Sequence, residues 1–160
     1  MGFSVFENDY NLKNITFSKK LQRICKNSFT NCRSLESVIF PSGLVKIENE
    51  VFSYCTSLKK IQLTGFNNSN NTNMKNMFSY CSSLEYLDLS GLDINRDANC
   101  MYLCQYCSSL KEARFPVLDH QAIVNAGFMF RECTSLTKTN IDVLDLSHNT
   151  NMSNMFSHAT

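Results

Sequence analysis

The sequence predicts an α/β solenoid of about six turns, with parallel strands on its concave face and short helices and turns behind them. Five cysteines each precede a leucine by three residues, and successive cysteines lie 23, 26, 26 and 26 residues apart. A fixed period of this length is typical of stacked repeats, in which one position of every turn lines up along the array. The five cysteines are Cys32, Cys55, Cys81, Cys107 and Cys133.

All 160 residues are predicted to form a single domain with two kinds of repeat. Residues 6–63 hold two to three repeats of 23 residues, and residues 64–160 hold 26-residue repeats, the last of them incomplete. Each repeat begins with the pattern Leu-x-x-apolar-x-apolar, whose alternation suits a strand with one buried face. The six predicted strands follow Leu12, Leu35, Leu58, Leu84, Leu110 and Leu136.

Behind the strands, the two kinds of repeat differ. In the 23-residue kind a second short apolar run follows, as in Leu44 and Ile47. In the 26-residue kind an asparagine column precedes an apolar pair, which predicts either N-caps of short helices or a side-chain ladder between turns. The polar stretch 66–73 is predicted to be a mobile loop. The asparagines of the column are Asn73, Asn99, Asn125 and Asn151.

Charge and hydropathy predict neither nucleic acid nor membrane as a partner. The chain has 15 basic and 14 acidic residues, a net charge of +1, and no long run of one sign. A nucleic-acid or anionic membrane surface usually selects a concentrated basic patch. No segment is long and apolar enough to insert into a membrane. The first residues lack a secretory signal, which favours the cytoplasm.

Residues 32–55 resemble the BspA-type leucine-rich repeat. They read Cys-x-x-Leu-x-x-Val-x-Phe-Pro-Ser-Gly-Leu-x-x-Ile-x-x-x-Val-Phe-x-x-Cys. Residues 72–78 and 87–93 resemble the related 26-residue repeat of mycoplasma-type surface lipoproteins. The resemblance implies a surface or secreted protein that adheres to host or matrix proteins without catalysis. The alternative is an intracellular leucine-rich-repeat scaffold, which the absent signal and the abundant thiols would suit.

Three cysteines suggest an enzymatic alternative. The spacing Cys100-x-x-x-Cys104-x-x-Cys107 matches the loop that holds an iron–sulfur cluster in radical-SAM enzymes. However, Cys107 belongs to the repeat, and the other two occupy columns that are otherwise apolar. We therefore expect no catalytic, cofactor or metal residue, and an iron–sulfur enzyme is a distant alternative. Buried free thiols are favoured for all eight cysteines, and disulfides between neighbouring turns stay open.

The third and fifth positions of each strand signature should face outward on the concave side and form a binding surface. Tyr86 and Arg114 are residue types enriched at binding hot spots. The alternative is an ordinary solvated surface. The C-terminal turn is uncapped, which further predicts self-association through that end. The concave-face candidates for an unidentified protein ligand are Lys60, Gln62, Tyr86, Asp88, Glu112, Arg114, Lys138 and Asn140.

Overall fold

The computed structural model describes residues 2–64, 73–92, 94, 98–117, 123–148 and 151–159. The loop predicted at 66–73 lies outside these residues apart from Asn73. No helix within the described ranges is long and apolar enough to cross a bilayer. The strands of the described residues are β1 (Asn14–Thr16), β2 (Arg23–Ile24), β3 (Ser37–Ile39), β4 (Lys46–Ile47), β5 (Lys60–Gln62), β6 (Tyr86–Asp88), β7 (Ala98–Asn99), β8 (Glu112–Arg114), β9 (Ile123–Asn125) and β10 (Lys138–Thr139).

The predicted concave strands are β1, β3, β5, β6, β8 and β10, and their pairing is parallel. Lys60 pairs with Tyr86, and Tyr86 pairs with Glu112, so the register equals the 26-residue period. One continuous sheet joins β5, β6, β8 and β10, whereas β1 and β3 pair separately. Because β3 and β5 are neighbours without a strand ladder, the continuous sheet covers four turns, slightly fewer than the six predicted.

The core lies directly behind the middle residue of each concave strand. Ile61, Leu87 and Ala113 are fully buried, which is the inward position that the alternating pattern predicts. A second row of short strands closes the other side of the solenoid: β2 pairs with β4, and β7 pairs with β9. Each of these strands brings an apolar side chain, such as Ile24 and Ile47, into the same core. The predicted parallel-strand solenoid is therefore confirmed.

A column of stacked phenylalanines runs through the core from turn to turn. The ring centroids of Phe29 and Phe52 are 5.5 Å apart, and those of Phe52 and Phe78 are 5.8 Å apart. Cys104 occupies the next position of the column, which resumes one turn later at Phe130. Offset or parallel aromatic contacts at this distance add stability beyond the burial of the rings. The stacked rings therefore help to hold neighbouring turns together.

Hydrogen-bonded turns take the place of most of the predicted short helices. In each turn two residues four positions apart have positive φ, for example Asn76 at 55° and Tyr80 at 63°. A left-handed residue cannot continue a right-handed α-helix, because its backbone turns the other way. The described residues contain one short 3-10 helix, Ile141–Val143, and no α-helix.

The asparagine column caps these turns and also forms a ladder. Asn99 Oδ1 accepts a hydrogen bond of 3.0 Å from the amide of Met101, two residues later. This is the Asx-turn arrangement, which satisfies a backbone donor without a helix. Asn151 Nδ2 donates to Asn125 Oδ1 at 3.3 Å, so the asparagines also bond between turns, whereas the segments that they cap are turns and not the predicted short helices.

The repeat cysteines line the core beside the phenylalanines. The thiol of Cys55 donates to the carbonyl of Phe29 at 3.2 Å, and that of Cys81 to the carbonyl of Phe52 at 3.1 Å. All eight cysteines are buried free thiols. Burial raises the pKa of Cys32 to about 11. The predicted burial is therefore confirmed, and the thiols act as small core residues that bond backbone across turns.

Candidate functional site

The parallel register arranges the concave candidates in two rows across the sheet. One row contains Lys60, Tyr86, Glu112 and Lys138, at the outward position that begins each strand. Gln62, Asp88 and Arg114 form the other row. Adjacent strands of a sheet lie about 4.8 Å apart, so side chains of neighbouring turns are within contact distance. The two rows and Asn140 are called the concave face below.

Tyr86 stands near the centre of the concave face and is held on several sides. The ammonium of Lys60 lies 5.3 Å from the centroid of its ring, and the guanidinium carbon of Arg114 lies 5.7 Å from it. The phenol donates a 3.2 Å hydrogen bond to Asp88 Oδ2. Burial, followed by the charge of Asp88, raises the pKa of Tyr86. The ring is therefore neutral and fixed in orientation at physiological pH.

Asp88 supports Tyr86 from below. Its other oxygen, Oδ1, accepts a 2.9 Å hydrogen bond from the amide of Ser90. Only 6% of the residue is exposed. Because both carboxylate oxygens have donors and the side chain is buried, Asp88 positions Tyr86 and has little surface for a ligand.

Glu112 is shared by two cations of the concave face. Arg114 Nε donates to Glu112 Oε1, and Lys138 Nζ lies 3.4 Å from the same oxygen. The hydrogen bond from Arg114 lowers the pKa of Glu112, and Lys138 lowers it further. The same hydrogen bond raises the pKa of Arg114. Glu112 and Arg114 are consequently both charged at neutral pH.

Asn140 lies at the border of the concave face, where β10 ends early. Its Oδ1 accepts a 2.8 Å hydrogen bond from the amide of Phe115, and its Nδ2 donates a 3.0 Å hydrogen bond to the carbonyl of Phe115. The side chain thus replaces the backbone pairing that a longer strand would have made. A shallow depression of about 310 Å³ lies between β8 and β10 and is lined by Arg114, Lys138 and Asn140, among others.

The cysteine cluster considered for an iron–sulfur site consists of core residues. Cys100, Cys104 and Cys107 are fully buried, and the thiol of Cys107 donates to the carbonyl of Phe78 at 3.1 Å. Burial raises the pKa of Cys100 and of Cys104 above the usual thiol value. The histidines, cysteines and acidic residues that the structure describes form no group of three able to hold a metal ion. Nothing in this arrangement supports a cluster-binding enzyme.

Comparison with known families identifies the repeat. The model of the BspA type leucine rich repeat region matches residues 1–118 with six copies. The chain belongs to the BspA-type leucine-rich-repeat family. A second model, that of a mycoplasma protein of unknown function, DUF285, matches residues 102–160. The two matches overlap at residues 102–118, and the family resemblance drawn from the sequence is confirmed. No curated protein matches the chain.

Three solved structures share the fold of this BspA-type chain. A leucine-rich repeat protein of T. pallidum is 21% identical with a TM-score of 0.63, over 86% of this chain and 60% of its own. One from Bacteroides ovatus is 23% identical with a TM-score of 0.55, over 88% and 40%. A leucine rich cell surface protein of Faecalibacterium prausnitzii is 22% identical with a TM-score of 0.54, over 84% and 40%. The chain thus spans 40% to 60% of their lengths.

The BspA-type turns also carry a surface feature that the sequence analysis missed. Tyr54, Tyr80 and Tyr106 form a tyrosine ladder, with ring centroids 4.4 and 4.6 Å apart. The guanidinium carbon of Arg131 lies 5.9 Å from the ring of Tyr106. Burial, followed by the two neighbouring phenols, raises the pKa of Tyr80. The sequence does contain a signal for this ladder, because each of the three tyrosines directly precedes a repeat cysteine.

Proposed function

We propose that this chain is a non-catalytic protein-binding module that recognises its partner through the concave face. Leucine-rich-repeat domains generally mediate protein–protein binding, and solenoids present extended concave surfaces for it. The observation that carries the proposal is the fixed Tyr86, flanked by the exposed cations Lys60 and Arg114. Tyrosine and arginine are enriched at hot spots, and a ring that is already ordered loses little entropy on binding.

The proposal is tested by measuring how much of a specific partner is retained on the immobilised protein. Tyr86→Ala and Arg114→Ala should each lower the retained amount of a specific partner about tenfold or more, as the loss of a hot-spot residue does. Tyr54→Ala, in the tyrosine ladder, is the matched control and should leave retention unchanged. Far-UV circular dichroism checks that the variants stay folded. Equal retention by all variants would show that binding occurs elsewhere.

The proposed setting is the cell surface, in an adhesive role. Support comes from the family and from the relative in Faecalibacterium prausnitzii, which is described as a leucine rich cell surface protein. The second candidate is an intracellular scaffold of the same fold. The eight free thiols favour it, because thiols persist most readily in reducing compartments.

Biotinylation of intact source cells separates these two settings. A reagent that cannot cross the membrane should label the chain before lysis if it is a surface adhesin. Protection until lysis, with an abundant cytosolic protein as the leakage control, would support the scaffold. Self-association through the C-terminal turn stays a prediction, which sedimentation at several protein concentrations can test.

A further inference from the structure

We propose that the concave face selects an acidic, extended polypeptide segment, with carboxylates four residues apart. The inference rests on the proposed protein-binding function and specifies the chemistry of the partner. It follows from how the charges of the concave face are layered and spaced.

The exposed layer of the concave face is cationic. The side chain of Lys138 is 66% exposed and that of Arg114 49% exposed, whereas that of Glu112 is 19% exposed. Lys60 is exposed as well, and Asp88 is buried. An approaching chain therefore meets three positive groups before it meets a negative one. Complementary charge at such a surface guides association and selects partners.

The carboxylates beneath are already satisfied by groups of this chain. Asp88 accepts hydrogen bonds from Tyr86 and from a backbone amide. Glu112 forms ion pairs with both Arg114 and Lys138, and the negative charge of Asp88 also acts on Arg114. Among the ion pairs of the described residues none includes Lys60, whose ammonium faces the tyrosine ring. The three cations of the concave face thus exceed its two carboxylates by one charge, and the exposed Lys60 and Lys138 present this excess to a ligand.

The spacing of these cations fits an extended peptide that crosses the strands. Lys60 and Lys138 are three strand steps apart, which corresponds to about 14 Å. In an extended chain two side chains on the same face, four residues apart, are about 13 Å from each other. Acidic residues at these two positions would therefore reach Lys60 and Lys138 together. The depression of about 310 Å³ between β8 and β10 is large enough for a side chain near the second of them.

Fluorescence anisotropy with three labelled 12-residue probes tests the charge preference. The probes alternate serine with glutamate, glutamine or lysine. The glutamate probe should bind at least tenfold more tightly than the glutamine probe at low ionic strength, and the difference should shrink as salt is added. The lysine probe should bind most weakly. Equal binding of the glutamate and glutamine probes would overturn the inference.

Charge reversal tests whether the preference for acidic peptides arises from the concave face. The double variant Lys60→Glu with Lys138→Glu should weaken the glutamate probe at least tenfold and strengthen the lysine probe. The double variant Lys19→Glu with Lys20→Glu is the matched control of equal charge change, since both lysines are exposed in the turn between β1 and β2, outside the concave face. A similar loss with the control would attribute binding to net charge alone. If a sulfated polysaccharide displaces the glutamate probe preferentially, the ligand of the concave face is a glycan, and the proposal of a polypeptide ligand is wrong.

Selection from a random 12-residue peptide library separates failure of this inference from failure of the proposed function. Peptides that are rich in acidic residues and lose binding on Tyr86→Ala support both. Peptides that depend on Tyr86 but show no acidic enrichment leave the protein-binding function standing and refute the charge preference. If binding survives Tyr86→Ala, or no peptide is recovered, both proposals fail.

Discussion

Phenylalanine-to-alanine substitutions at two positions of the stacked column test how much the column contributes to the unfolding free energy of the solenoid. Phe52 is fully buried, and its ring lies 5.5 Å from that of Phe29 and 5.8 Å from that of Phe78. The ring of Phe40 makes a further edge contact at 5.9 Å. Phe156 occupies the same column but is 42% exposed, and its ring stacks on Phe130 at 5.4 Å.

We expect Phe52→Ala to cost about 4–5 kcal/mol of unfolding free energy. Buried Phe→Ala changes cost about 3–5 kcal/mol, and this ring has neighbours on both faces that cannot easily close the cavity. Phe156→Ala should cost about 1–2 kcal/mol. Full burial of a phenylalanine stabilises by about 1.5–3 kcal/mol, of which this partly exposed ring receives somewhat more than half.

Urea titration followed by far-UV circular dichroism measures both costs. The slopes of the unfolding curves should be compared as well, because repeat arrays can unfold turn by turn when one interface is weakened. Equal costs of the two changes would show that burial does not set the contribution of a ring, and a cost of Phe52→Ala below about 2 kcal/mol would show that the column does not hold the turns together.

Three further predictions concern thiols, pH and the asparagine ladder. A thiol reagent at pH 8 should modify the native protein slowly and all eight cysteines in urea, because burial blocks access and raises the pKa of Cys32 to about 11; fast native labelling of several thiols would contradict their burial. Burial has the largest single effect on Glu48 and raises its pKa, but the hydrogen bonds from Arg23 and from the amide of Lys26, together with the charges of Arg23 and Lys46, outweigh burial and hold that pKa below its usual value. The unmodified protein should therefore have a higher unfolding free energy than Glu48→Gln, with the full difference at pH 7 and a decreasing difference as the pH is lowered past about 4. A difference that does not depend on pH would refute this linkage. Asn125→Ala removes an acceptor from the amide of Gly127 and should cost about 1–2 kcal/mol in a urea titration, and no loss would show that water replaces the bond.

Several details of the site were not predictable from the repeat pattern. Asp88 and Asn140 occupy outward positions of the strand signature, yet Asp88 is buried beneath Tyr86 and Asn140 bonds the backbone of Phe115. The period assigns a residue to a row, but its exposure depends on the size and charge of its neighbours in adjacent turns. The same neighbours decide that Glu112 serves two cations at once.

The sequence by itself determined the repeat, its two lengths, the positions of the concave strands and the inward rows. It could do so because stacking converts a constant period directly into spatial neighbours, so Lys60 must lie beside Tyr86 and Cys55 near Cys81. Tertiary structure alone decided where the sheet divides between β3 and β5, that left-handed residues such as Tyr80 turn the chain without helices, and that three phenols stack into a ladder. These features depend on backbone twist and on contacts across turns, and a pattern of residue types along one chain does not specify either.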